Sequence, residues 1–180
     1  MRLLYDRLAP QTDPLLSDNL LIFSSGPLSA VNFLGSTGIS VVTKSPLTGF
    51  IGDSDLRGTF GRHLKSCGCD ALVIKGKSDA PVYIEIADGF AEIKDATDLW
   101  GKTTAEVQNT LSQRIGKGSS ILSIGPAGEH LVKYACISGD VQFFAGRLGM
   151  GAVMGSKNLK TIVIRGKRET PVANPGELKK

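Results

Sequence analysis

Leu72–Val82 reads LVIKGKSDAPV, and Ile162–Val172 reads IVIRGKRETPV. The two runs align at an offset of 90 residues (72 against 162): apolar strand on apolar strand, Gly-Lys turn on Gly-Lys turn, Pro-Val on Pro-Val. Carried backwards at that offset, Arg57 falls on Arg147 and Gly61 on Gly151. An earlier echo sets Ile22–Pro27 (IFSSGP) against Ile121–Pro126 (ILSIGP) at an offset of 99, so the halves differ by a loop of nine residues. Each half then runs strand, Gly-Pro turn, Gly-rich stretch, short helix, buried strand, Gly-Lys turn. The period is too long for a stacked solenoid. Two such copies can pair about a pseudo-two-fold axis and build one site between them.

The 180 residues bury one sizeable core, which sets one domain as the default. The 22 glycines exceed average usage and gather in loops, where the backbone turns tightly or approaches something closely. The formal charge of +4 is mild, with basic residues gathered after Lys157 (Lys160, Arg165, Lys167, Arg168, Lys179, Lys180). Nucleic-acid binding calls for a basic stripe interleaved with aromatics, and only 6% of the chain is aromatic, which points to a solvated basic surface instead. Cys67, Cys69 and Cys136 are an odd set, two of them one residue apart, so they form no disulfide framework and fit a reducing compartment. No apolar run nears the ~20 residues of a membrane span. With no visible secretory signal, this places the chain in the cytoplasm, without a membrane partner.

Local signals place the elements. Short apolar runs at Asn19–Ser24, Ile39–Thr43, Ile121–Ile124, Leu131–Ile137 and Thr161–Ile164 read as strands. Ala71–Ile74 suits a strand covered on both faces. Alternation over Pro81–Ile93, broken by Asp88-Gly89, predicts a hairpin, because both turn residues tolerate positive φ. Thr103 and Glu106 make a capping box, Val107, Leu111 and Ile115 share one face, and Gly116 stands at the C-cap, so Thr103–Ile115 is a helix. Phe60–Cys67 and Met150–Lys157 are short helices related by the repeat. Strands dominate and one hairpin is antiparallel, so the class is α+β.

Both ends read as pieces of elements whose remainder lies elsewhere. Leu3, Leu4 and Arg7 suit the last turns of a helix, and Asn174-Pro175 opens another that stops at once.

Gly146-Arg147-Leu148-Gly149-Met150-Gly151 leads into a helix, offering backbone N–H groups and a guanidinium to an oxyanion. The same glycines equally permit close helix packing. Asp53, Asp55 and Arg57, between Gly52 and Gly58, read as a charged loop suited to a ligand or as an exposed turn. His63, Cys67 and Cys69 cluster but are too few for a tetrahedral metal site. Gly101-Lys102-Thr103 imitates the end of a P-loop, but Ala96 stands where its first glycine belongs, so nucleotide hydrolysis is set aside. His130 beside Glu129 has no nucleophile in sequence reach.

Longer motifs resemble a known family. Val41–Gly49 (VVTKSPLTG), Phe60-Gly61, Leu64-Lys65, Asp98–Lys102 (DLWGK), Ser123–Glu129 (SIGPAGE) and Gly151–Lys160 (GAVMGSKNLK) together look like the N-terminal domain of the tungsten-containing aldehyde ferredoxin oxidoreductases. The resemblance runs from about Leu3 to about Leu178. It implies two intertwined β-rich repeats with a pterin-binding face between sheets, over a domain of residues 1–172 that lacks its start. Residues 173–180 then begin a linker or helix towards missing domains. It also implies a bis-pyranopterin cofactor holding tungsten, or molybdenum in its place, with magnesium bridging the pterin phosphates, oxidation of an aldehyde to a carboxylic acid, and electrons leaving through a [4Fe–4S] cluster to ferredoxin. Cys67, Cys69 and Cys136 do not match the cluster ligands, so no iron–sulfur site is assigned to this chain; no catalytic residue and no metal ligand is assigned to it either. Partners are the remaining domains or a second polypeptide.

The candidate cofactor contacts are Asp55, Arg57, Gly146, Arg147 and Gly149, of which Gly146 and Arg147 keep the family pattern and Asp55 and Arg57 stand on the charged, glycine-flanked loop. The departures fall there too. Arginines that the family pattern implies at Gly38 and Phe143 are absent, and Asn-Ser-Gly-Gly becomes Asp55-Leu56-Arg57-Gly58. Arg57 is expected to compensate, since the repeat makes it the counterpart of Arg147. The rival expectation is a shortened, non-catalytic paralogue or gene fragment that keeps the fold without the cofactor.

Overall fold

The computed structural model describes residues 1–31, 36–116 and 118–178. Its strands are β1 (Leu21–Ser25), β2 (Ile39–Lys44), β3 (Ile51–Leu56), β4 (Ala71–Ile74), β5 (Val82–Ala87), β6 (Phe90–Asp95), β7 (Ser120–Ser123), β8 (Ile137–Gly139), β9 (Phe143–Ala145) and β10 (Leu159–Arg165). Its helices are α1 (Arg2–Arg7), α2 (Phe60–Ser66), α3 (Thr104–Ile115), α4 (Pro126–Glu129), α5 (Met150–Ser156) and α6 (Pro175–Leu178). One sheet has the order β3-β2-β1-β4, and the other β6-β5-β10-β7-β8-β9.

The repeat is visible as register. Ile22 pairs Val73, Phe23 pairs Leu72 and Ser24 pairs Ala71. Their counterparts pair the same way: Ile121 with Val163, Leu122 with Ile162, Ser123 with Thr161. Outward from there, β3-β2-β1-β4 repeats as β9-β8-β7-β10, and the β5–β6 hairpin extends the second sheet by running parallel to β10. The match of Arg57 to Arg147 needs correcting, however. Ser40 pairs Asp55 where Ser138 pairs Phe144, and Ile39 pairs Leu56 where Ile137 pairs Ala145. Arg57 is therefore equivalent to Gly146. The second half carries one more residue before its helix, in a stretch where Leu148 and Gly149 both take left-handed φ.

The halves are exchanged at their exits. After β10 the chain docks on α2 of the first half: Gly166 N–H donates to His63 Nδ1 at 3.3 Å and Arg168 N–H to the Ser66 carbonyl at 3.3 Å. After β4 it docks on α5 of the second half, where Ser78 N–H donates to the Lys157 carbonyl at 3.1 Å. The core follows from this exchange. Phe23, Val41, Leu56, Phe60, Leu64, Leu122, Ile137, Val153 and Ile162 form one buried cluster between the sheets with α2 and α5. Val107 and Leu111 of α3 cover the outer face of the second sheet at Tyr83, Ile121 and Val163. Leu4 of α1 covers Leu20, Ile22 and Val42 on the first.

Most local readings hold. The capping box closes α3 through Thr103 and Glu106, the Asp88-Gly89 turn takes φ of 50° and 93°, and Asn174 Oδ1 accepts Glu177 N–H at α6. Three do not. Ala71–Ile74 is an edge strand with Val73 exposed, not covered on both faces. Leu131–Ile137 is irregular up to β8, because α4 ends in a Schellman closure with Leu131 at φ 57°. There Val132 N–H reaches the Ala127 carbonyl at 2.9 Å and Leu131 N–H the Gly128 carbonyl at 3.1 Å. Asp53 and Asp55, read as part of a loop or turn between Gly52 and Gly58, lie on a strand, Ile51–Leu56.

Candidate functional site

Along β3, Gly52, Ser54 and Leu56 are buried, while Asp55 is exposed and Asp53 half-buried. This alternation sends both carboxylates out of the sandwich. Two hollows meet at Asp55. The larger, about 850 Å³, is lined by Ser24, Ser25, Gly38, Ser40, Asp55, Arg57, Gly58, Thr59 and Phe143 among others. The smaller, about 410 Å³, is lined by Asp53, Ser54, Asp55, Phe144, Gly146 and Arg147. Asp55, Arg57, Gly146 and Arg147 are thus brought to adjoining walls. Gly38 and Phe143, where the family resemblance implies arginines, both line the larger hollow. In the second half, Ser123 and Ser138, equivalent to Ser24 and Ser40, are buried, and that half closes the matching place.

The polar groups around the hollows are partly engaged. Ser40 donates to Asp53, Ser24 Oγ to the Ser40 carbonyl at 3.4 Å, Thr59 Oγ1 to Asp140 at 2.9 Å, and Arg147 N–H to Ser54 Oγ at 3.3 Å. Neither the Arg57 nor the Arg147 guanidinium bonds to any of the described residues. Two free guanidiniums flanking carboxylates, with an unobstructed glycine at Gly146 where a Cβ would meet nothing within 4 Å, fit a phosphate-bearing group with an accompanying hard cation.

Gly149 lies elsewhere. It starts α5 at φ 74°, and a Cβ there would strike the Lys133 carbonyl. From Gly151 on, the N–H groups are spent within the protein: Gly151 donates to the Ala135 carbonyl at 2.9 Å, and Ala152 and Val153 fold back on that of Gly149 at 3.1 and 3.3 Å. At Gly149 and Gly151 a Cβ would strike the backbone of Lys133 and Cys136, so these glycines permit close packing of α5. At Gly155 a Cβ would meet the Gly128 carbonyl. Bare backbone on bare backbone is what seats α4 on α5.

That seating carries Glu129 to Lys160. The two side chains, 3% and 0% exposed, form a buried ion pair. The amine also donates to the Lys102 carbonyl at 2.7 Å, and the carboxylate accepts Gly101 N–H at 2.9 Å. Burial pulls the Lys160 pKa down, opposed chiefly by the Glu129 carboxylate. Three of the quoted motifs, DLWGK, GPAGE and SKNLK, are therefore one structural knot. Lys160, counted among the surface bases from the sequence, is wholly inside. Lys157 is 3% exposed. Its amine donates to the carbonyls of Asn19 at 2.6 Å, Gly76 at 3.1 Å and Ser17 at 3.3 Å. Burial pulls its pKa down to about 8.

His63 and Cys67 serve the seam, and Cys69 packs against the core. The Cys67 thiol donates to the Arg165 carbonyl at 3.2 Å, and His63 Nδ1 accepts from Gly166 as above. Among the described residues no three metal-ligating side chains gather, and no helix is long and apolar enough to cross a membrane. Burial lowers the His63 pKa below 6.5. The unfolded chain then binds the proton first as pH falls, so the stability His63 lends is complete above pH 6.5 and drains away as pH drops towards its folded-state pKa. We expect the melting temperature to fall between pH 6.5 and 5 with a slope that His63→Gln flattens; equal slopes in both proteins would refute this.

Comparison with known proteins agrees with this architecture. The family model described as aldehyde ferredoxin oxidoreductase, N-terminal domain, matches residues 1–166. The chain is 47% identical to the tungsten-containing aldehyde ferredoxin oxidoreductase of Pyrococcus furiosus, over 96% of this chain and 29% of that one. It is equally similar to the enzyme of the same name from Thermococcus kodakarensis, with the same coverage. It is 35% identical to the aliphatic sulfonate oxidoreductase, WOR-like subunit, of P. furiosus, over 89% and 28%. Among solved structures, the active site complex BamBC of benzoyl coenzyme A reductase in complex with 1,5 dienoyl-CoA superposes with a TM-score of 0.94 at 37% identity, over 98% of this chain and 27% of that one. A duplicated α+β domain of an oxidoreductase class is thus defined. The chain belongs to the aldehyde ferredoxin oxidoreductase family, as its N-terminal domain. It spans under a third of the length of these relatives.

Proposed function

We propose that this chain is the cofactor-holding part of a tungsten or molybdenum oxidoreductase that converts aldehydes to carboxylic acids, passes electrons to ferredoxin, and works only with further domains or a second polypeptide. When bound, the pyranopterin-held metal would supply the two-electron oxidation. The observation that carries the reading is the free Arg57 guanidinium in a hollow of about 850 Å³, within a chain of this family. Arg57 and Arg147 pair with phosphate oxygens. Asp55, between them, faces the cation that accompanies those phosphates, and Thr59 borders the hollow beside Arg57. Three free thiols suit a reducing cytoplasm.

Removing Arg57 deletes about 1.5–3 kcal/mol per charged hydrogen bond. Arg57→Ala is therefore expected to weaken binding of inorganic pyrophosphate, followed by titration calorimetry, by at least about tenfold. Unchanged affinity would count against the reading. In the protein purified with its completing polypeptide, tungsten or molybdenum should approach one per chain. Trace metal would favour the second reading, a structural module without cofactor. That alternative is supported by Gly38 and Phe143, which leave this hollow without the two arginines the family pattern implies.

A further inference from the structure

Asp140 stands on the turn between β8 and β9, in the second half, yet it touches the loop that builds the hollow in the first. Its carboxylate accepts Thr59 Oγ1–H at 2.9 Å and Thr59 N–H at 3.4 Å. On its other side it accepts Ser120 Oγ–H at 3.0 Å and Ile121 N–H at 2.9 Å. Gly58 packs against the same group: a Cβ there would come to 3.3 Å from Asp140 Oδ2 and 3.1 Å from the Phe143 ring. One side chain thus fixes Gly58 and Thr59 to β7, across the seam between the halves. Both residues follow Arg57 directly and line the hollow.

The turn itself is costly. Gln142 N–H closes on the Gly139 carbonyl at 3.1 Å, and both central residues are left-handed, Asp140 at φ 48° and Val141 at φ 63°. Asn-Gly or Asp-Gly fills such a turn without strain. A β-branched valine there is an outlier, and outliers persist where surrounding bonds over-determine them. Here four bonds to one carboxylate do so. Asp140 N–H is also held, by the Ile121 carbonyl at 2.9 Å.

We propose that Asp140 is a positioning residue: from the second half it sets the Arg57–Thr59 loop of the first in the geometry that receives phosphate. This rests on the reading of the hollow as a phosphate site. Asp140 does not line the hollow, so its effect on binding passes through the loop.

The test uses the full chain and inorganic pyrophosphate. Asp140→Asn keeps the shape and removes one acceptor oxygen. It is expected to weaken pyrophosphate about tenfold, as loss of an orienting partner does elsewhere, and to speed hydrogen exchange at the Thr59 amide. Thr59→Ala should weaken binding too, and the double variant should be no weaker than the weaker single one. Additive losses, or a lowered melting temperature with affinity and Thr59 exchange unchanged, overturn the proposal. Should Asp140→Asn not fold, Ser120→Ala loosens the carboxylate from β7 without touching the hollow. It carries the same expectation at smaller size, and unchanged affinity and exchange there are equally fatal. A wild-type chain that ignores pyrophosphate sinks the phosphate reading. The Thr59 exchange rate in Asp140→Asn then still decides the positioning, an unchanged rate overturning it.

Discussion

Glu129→Ala is expected to destabilise the chain by about 3–5 kcal/mol, the loss seen when one partner of a buried ion pair is removed. The Lys160 ammonium would remain at 0% exposure with only the Lys102 carbonyl as acceptor. Gly101 N–H would lose its carboxylate, and with it the anchor of the segment that leads into the capping box of α3. Domains of ordinary stability hold about 5–15 kcal/mol in total, and each kcal/mol moves the melting temperature by about 2–4 °C at this size. A drop on the order of 10 °C should follow, measured by thermal and urea unfolding. The double replacement Glu129→Leu with Lys160→Met separates charge from packing. Because the pair's own attraction is largely offset by desolvation, the double variant should recover much of the loss. A double variant as unstable as Glu129→Ala would show that shape, not uncompensated charge, is what the pair supplies.

Gly155→Ala is expected to be at least as severe. A single methyl there is directed at the carbonyl of Gly128, which is main chain and cannot swing aside as a flexible side chain would. Overpacking against yielding side chains costs about 1–3 kcal/mol. Against backbone it must part α4 from α5 and draw Glu129 away from Lys160. We expect loss of soluble folded protein, or a melting temperature lowered by more than 10 °C, roughly as for a cost above 3 kcal/mol. The control is Gly146→Ala, where a Cβ meets nothing within 4 Å, and stability there should change by less than about 0.5 kcal/mol. Equal effects at the two positions would dismiss the packing account. Combining Gly155→Ala with Glu129→Ala should give less than the sum, since the first already disrupts the second's geometry.

Much of the fold was legible because the chain repeats itself. Two offsets, 90 and 99, marked β1 and β7, and β4 and β10, as equivalent strands, and the structure gives the β1–β4 and β7–β10 pairs one shared register. The capping box and the Asp-Gly hairpin are local devices and read locally. β3 did not read as a strand because Gly52-Asp53-Ser54-Asp55 has the composition strands avoid; only its neighbours in the sheet make it one. Leu131–Cys136 misled in the opposite direction, since an apolar run carried no sign that Leu131 would turn left-handed. Of the site, Asp55, Arg57 and Arg147 were visible as charges where a core has no use for them. Ser24, Ser25 and Ser40 were not, because a serine in a strand looks the same whether it faces a hollow or a sheet. The Glu129–Lys160 pair could not be read at all. Its members are 31 residues apart, and a lone lysine in an apolar strand gives no clue to what it meets.

The exchanged exits also constrain how this molecule is assembled. Each half's helix is latched by the tail of its twin, so parting the two lobes like a jaw would first have to break the Gly166–His63, Arg168–Ser66 and Ser78–Lys157 hydrogen bonds together.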